Sequence, residues 1–154
     1  MVWEEIDGRN WNGDVAAEMY NGPIKDALQR ACPVSRKWRV LEDNDPAGFK
    51  CKKGRDAKQA AGIESFDIPR RSPALNVCDY ALWSEINRRM RAAEAKWPAG
   101  RTESRKQYIA RLRRTAFGLP ASFINKSIVN MQQRCKLLHE ARGGHFEEGG
   151  KLCR

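Results

Sequence analysis

At 154 residues the chain is long enough for one domain with a real core, and a second domain would be cramped. Lysine and arginine number 29 against 19 acidic residues, and the formal charge of +10 favours a polyanionic partner, nucleic acid ahead of a membrane surface. No run approaches the roughly 18 apolar residues of a spanning helix, and Glu4 and Glu5 stand where a signal peptide needs a basic lead and an apolar run, so the expectation is a soluble, intracellular protein without a membrane partner.

The opening residues 1–8, with Val2, Trp3 and Ile6 as apolar weight, read as a short strand closed by Asp7-Gly8. From Asp14 a helical pattern runs through Val15, Ala16, Met19 and Tyr20 until Asn21-Gly22-Pro23 splits it from a second piece, Ile24 to Ala31, that Cys32-Pro33 ends. A strand over Trp38 to Leu41 follows the polar turn Ser35-Arg36-Lys37 and leads into the acidic run Glu42-Asp43-Asn44-Asp45, with Pro46 and Gly48 as stops. The acids therefore lie at the C-terminal end of a strand, the edge where ligands collect in open α/β sheets. Lys50 to Ala61 is a basic helix capped by Gly62, and Ile63 to Ile68 is a further strand that Pro69 stops.

The clearest helix runs from Asn76 to Trp97, with Leu82, Ile86, Met90, Ala93 and Trp97 as a buried stripe. Pro98 and Gly100 interrupt it. A second helix from about Thr102 carries Tyr108, Leu112 and Ala116 up to Gly118 and Pro120, and a third carries Ile124, Ile128, Met131, Cys135 and Leu138 up to Gly143-Gly144. The tail 143–154 is glycine-rich and expected to be loose. The five cysteines, Cys32, Cys51, Cys78, Cys135 and Cys153, are odd in number, scattered and without a CxxC pair, which fits free thiols in a reduced compartment better than disulfides or a structural zinc. His139 and His145 have no supporting constellation.

Two segments taken together carry a resemblance: Leu41-Glu42-Asp43-Asn44-Asp45-Pro46, and the stretch from Pro69 through Ser72-Pro73-Ala74-Leu75-Asn76-Val77-Cys78-Asp79-Tyr80 to Trp83. They resemble the catalytic domain of mariner-like DDE/D transposases, in which the second acid closes a strand and is followed by Asn, and the third follows a Ser-Pro-Asp-Leu-x-Pro stretch at the start of a helix. Carried over, Asp43 is the second acid, Asn44 its follower and Asp79 the third, while Ala74 and Val77 depart from the usual Asp and Pro. The resemblance implies an α/β, RNase H-like fold, with its first strand and first catalytic Asp upstream of residue 1, followed by C-terminal helices. It implies the divisions 1–97, partial catalytic domain; 98–142, helical extension; and 143–154, flexible tail. Asp43 and Asp79 would then bind Mg²⁺ or Mn²⁺, with Glu42 and Asn44 supporting them, for hydrolysis of DNA strands and joining of the freed ends. DNA is the implied partner, a homodimer the implied full-length form, and the nucleus the implied location in a eukaryote.

The same residues have plainer uses. Asp43 can close a turn with Asn44 and Asp45, and Asp79, with Asn76 as N-cap, falls in the first helical turn, where a carboxylate meets free N–H groups. Three acids within Glu42–Asp45 repel one another unless a cation is near, which favours a metal. Arg88, Arg91, Arg105, Lys106, Arg111, Arg113 and Arg114 make a surface for phosphates or a solvated face partly paired with Glu94 and Glu103. Trp83 and Trp97 read as core rather than as base-stacking platforms. Two functions follow: a transposase fragment, inactive alone, or a non-catalytic remnant that holds nucleic acid through its basic helices.

Overall fold

The computed structural model describes residues 8–43, 45–70 and 72–144. The expected first strand, Asn44, His145, Cys153 and most of the glycine-rich tail lie outside the described residues. Of the described residues 61% are helical, and two short strands form a small parallel sheet. The chain divides into two compact units, Met1–Arg71 and Ser72–Arg154.

In the first unit, Asn12 caps α1 (Gly13–Met19) by accepting from the Asp14 and Val15 amides. The backbone departs from helical geometry at Gly22, beside Pro23, and resumes as α2 (Lys25–Ala31). That is the split expected from Asn21-Gly22-Pro23, since proline removes an amide donor and glycine tolerates the kink. Strand β1 (Trp38–Leu41) pairs in parallel with β2 (Ile63–Phe66), Trp38 opposite Ile63 and Leu41 opposite Phe66. Helix α3 (Lys52–Ala61) joins them. Its left-handed cap is Gly62, where φ is 73° and an added Cβ would meet the Arg36 carbonyl oxygen. Ala16, Tyr20, Trp38, Ala57, Ala61 and Ile63 form the core beneath one sheet face.

In the second unit, a 3₁₀ turn (Pro73–Leu75) precedes a π-helical turn (Cys78–Leu82) that runs into α4 (Trp83–Glu94). Helix α5 (Arg105–Phe117) starts at a reciprocal capping box between Ser104 and Gln107, and α6 is Ala121–Glu140. Ile86, Met90, Ala116 and Leu119 are its core.

Two helical faces differ from expectation. The α4 stripe buries Ile86 and Met90, but Ala93 is exposed, because α4 ends at Glu94. Helix α6 buries Ser127, Arg134 and Leu137, whereas Ile128 and Val129 are 53% and 71% exposed and Cys135 is also exposed. Its buried face is set by the polar groups it meets near Ala74 and Tyr80. Trp83, expected in the core, is 48% exposed, since it sits one helical step off the Leu82–Ile86 line. Tyr108 is likewise 44% exposed.

Candidate functional site

Strand alternation sorts the acids that follow β1. Trp38 and Glu42 are buried while Arg39 and Asp43 are exposed, as a two-residue period requires. Glu42 thus turns into the core rather than towards the side of Asp43. Its carboxylate accepts from Lys58 Nζ at 2.6 Å, from Ser65 Oγ at 3.1 Å and from the Tyr20 hydroxyl. Lys58 also donates to Ser65 at 2.7 Å and lies 5.3 Å from the Tyr20 ring centre. Lys58 reaches this place because α3 turns Gly54, Ala57, Lys58 and Ala61 inward. Burial, together with the bond to Glu42, pushes the Tyr20 phenol well above its ordinary range.

Asp45 is held differently. Its Oδ2 accepts from the Trp11 indole at 2.7 Å and from the Gly48 amide at 2.9 Å, while Oδ1 accepts from the Ala47 amide at 3.2 Å. Burial raises its pKa, yet these donors and the Phe49 amide outweigh burial and hold the carboxyl below its usual range. Gly48 is required there, because an added Cβ would overlap the Trp11 indole. Two of the acids thus have partners of their own: Glu42 has Lys58, and Asp45 has neutral donors. Asp43 is left exposed at the strand end, accepting a 3.3 Å bond from the Asp45 amide, the Asx turn expected of it.

Asp79 lies in the first turn after Asn76. The Asn76 side chain accepts from the Cys78 amide at 3.1 Å, and its carbonyl from the Asp79 and Tyr80 amides at 2.9 and 3.1 Å. The Asp79 side chain is exposed. Asp43 and Asp79 are hard-oxygen donors, each open to solvent, and that chemistry fits Mg²⁺ or Mn²⁺. Among the described residues no three His, Cys, Asp or Glu side chains are grouped as a metal would need.

The basic residues separate into two sets. Arg88 pairs with Glu85 at 2.7 Å. Arg111, expected to face phosphates, is instead mostly buried, pairing with Glu94 at 2.7 Å and Glu103 at 2.6 Å and donating to the Met90 carbonyl at 3.2 Å. Those carboxylates, Glu103 foremost, raise its pKa further. With Arg101, its guanidinium also stacks on Trp97, at 4.9 and 4.5 Å from the ring centre, so Trp97 is half-buried between two cations. Arg91, Arg105, Lys106, Arg113 and Arg114 are exposed and form no ion pair among the described residues, with Arg113 lying over Phe117. Sequence reasoning missed Lys58 as the partner of Glu42, and it missed Arg134, buried on α6, whose Nε donates to the Ala74 carbonyl at 2.8 Å. A cation at a polar helical position gives no hydropathy signal, so only the fold discloses Arg134.

The chain is 26% identical over 112 residues, 71% of its length, to the Transposable element Tcb1 transposase of Caenorhabditis briggsae. It spans 37% of that relative's length. No family model and no solved structure matches it. The similarity is distant and points to a transposase-related chain. No described helix is long and apolar enough to cross a membrane.

Proposed function

We propose that this chain is part of a DDE/D DNA transposase of the mariner-like kind, and that β1, α3 and β2 are one flank of an RNase H-like sheet. The observation that carries this reading is the parallel β1–α3–β2 unit delivering Asp43, exposed, just past the C-terminal end of β1, in a chain with distant similarity to a transposase. Asp79, at a capped helix start, is the second proposed ligand. When bound there, Mg²⁺ or Mn²⁺ supplies Lewis-acid activation of water or a 3′-hydroxyl. The chain's own part is to present two open carboxylates, to keep Glu42 out of the metal's reach by pairing it with Lys58, and to hold DNA. Cleavage and joining of strands belong to a complete three-carboxylate site.

The exposed Arg91, Arg105, Lys106, Arg113 and Arg114, which form no ion pair among the described residues, favour a second reading for the isolated chain, a module that binds DNA without cutting it. One experiment tests both. Binding to labelled duplex DNA is read by anisotropy over a salt series, beside nicking of supercoiled DNA in Mn²⁺. Joint replacement of Arg105, Lys106, Arg113 and Arg114 by Gln lowers the salt slope by about 3 to 4, at ~0.9 per lost phosphate contact. In a protein that supplies the third carboxylate, the catalytic reading expects nicking that Asp43→Ala and Asp79→Ala each abolish, and nicking that survives both overturns it. The binding-only reading expects salt-dependent binding with no nicking, and binding indifferent to salt removes DNA as the partner of this surface.

A further inference from the structure

We infer that Arg134 is a positioning residue for Asp79, fixing from α6 the short segment that presents this carboxylate. The inference rests on the reading of Asp79 as a metal ligand. Asp79 is exposed, so its direction depends on the backbone beneath it rather than on packing around its side chain. That backbone is a 3₁₀ turn and an Asn76 cap, in which the Leu75 amide donates to Ser72, the Asn76 amide to Pro73, and the Asp79 and Tyr80 amides to Asn76. A 3₁₀ turn of three residues has too few bonds to hold itself rigid in water.

Helix α6 grips this segment on both sides of Asp79. Before it, Arg134 Nε donates to the Ala74 carbonyl at 2.8 Å, and since Ala74 has no polar side chain, that carbonyl is the polar group it offers. After it, the Arg134 guanidinium lies 4.1 Å from the Tyr80 ring centre, and the Tyr80 hydroxyl donates to the Ser127 carbonyl at 2.6 Å. One side chain thus bonds five residues before Asp79 and stacks on the residue after it. A planar guanidinium serves both contacts at once, which a lysine ammonium does not. With Arg134 7% exposed, the bond to Ala74 is shielded from competing water. A ligand held to within about half an ångström keeps metal affinity that a loose one loses.

The test compares the wild-type chain with Arg134→Lys, Tyr80→Phe and, as an exposed control on the same helix, Lys136→Ala. Amide hydrogen exchange followed by NMR is expected to quicken about ten-fold at Leu75, Asn76, Cys78, Asp79 and Tyr80 in Arg134→Lys, and less in Tyr80→Phe. Amides of Ile86 to Met90 and the whole of Lys136→Ala should stay at wild-type rates. Equal acceleration throughout α4, α5 and α6, or none at the five amides, overturns the positioning role. In parallel, Mn²⁺ is titrated alone, and paramagnetic broadening of the Asp79 amide is followed. Weaker broadening in Arg134→Lys at equal Mn²⁺, with folding intact, supports the role, and broadening equal to wild type overturns it. A wild-type chain in which Mn²⁺ leaves Asp79 untouched overturns Asp79 as a ligand, while the exchange rates still decide whether α6 fixes the segment.

Discussion

The two units support their exposed acids in contrasting ways. Ahead of Asp43 the first unit buries a complete ion pair, Glu42 with Lys58, at side-chain exposures of 5% and 4%, and satisfies it with Tyr20 and Ser65. Around Asp79 the second unit buries an arginine against a backbone carbonyl and an aromatic ring, and keeps its carboxylate pairs nearer the surface, as at Arg111 with Glu94 and Glu103. The difference teaches where failure would spread. Removing one member of a buried pair strands a charge in a low-dielectric core, so the whole unit suffers. Loss of a carbonyl bond frees a single turn.

The largest expected effect follows directly. Lys58→Met leaves Glu42 buried without its cation and should destabilise the first unit by about 3 to 5 kcal/mol, read from urea denaturation. Adding Glu42→Leu to that variant removes the stranded charge, and most of the loss should return. If the single and double variants are equally unstable, the damage lies in packing against Tyr20 and not in the charge.

A smaller effect is expected in the second unit. Arg111→Ala removes bonds to Glu94, Glu103 and the Met90 carbonyl together with its stacking on Trp97, but those carboxylates can turn to water. About 2 kcal/mol should be lost, with the DNA salt slope unchanged. A slope reduced by about one would place Arg111 on a phosphate after all.

Much of this contrast was legible in the sequence only in outline. Gly22-Pro23, Gly62 and Gly118 placed element boundaries because they act through local backbone geometry, and β1 lies where Trp38 to Leu41 was expected, whereas α4 ends at Glu94, short of the stop expected at Pro98. The role of Glu42 was missed although two signals existed: a two-residue alternation counted from Trp38, and Lys58 standing among Gly54, Ala57 and Ala61 on the inner face of α3. The face of α6 was misjudged for a different reason. Apolar periodicity counts side chains that want burial, and it has no means of counting a backbone carbonyl such as that of Ala74, which draws Arg134 inward and turns Ile128 and Cys135 out. Long-range polar partners are invisible to any local pattern.

The subtlest way to separate the units is acid titration at two salt concentrations. Each has a carboxyl held below its ordinary range, but by different donors. In the second unit, hydrogen bonds from Arg88 and Arg89 hold Glu85 at about 2. In the first, burial opposes the shift of Asp45, and neutral donors, the Gly48 amide and the Trp11 indole foremost, produce it. Both folded pKa values lie below the unfolded ones, ~4.3 for Glu and ~3.9 for Asp, so each group contributes stability above its unfolded value that is lost as pH falls through the folded one. Glu85→Gln should therefore be less stable than wild type near neutrality and equal to it once the acid is protonated in both states. Salt distinguishes the causes, because at about 1 M the screening length is only ~3 Å and charged donors at a surface lose most of their pull while neutral ones keep theirs. Carboxyl carbon shifts followed by NMR should show the Glu85 titration moving up towards the ordinary Glu range in high salt and the Asp45 titration staying in place. An Asp45 that moves as far as Glu85 would mean that charges at a distance, not the indole and the turn amides, set the acid behaviour of the loop that carries Asp43.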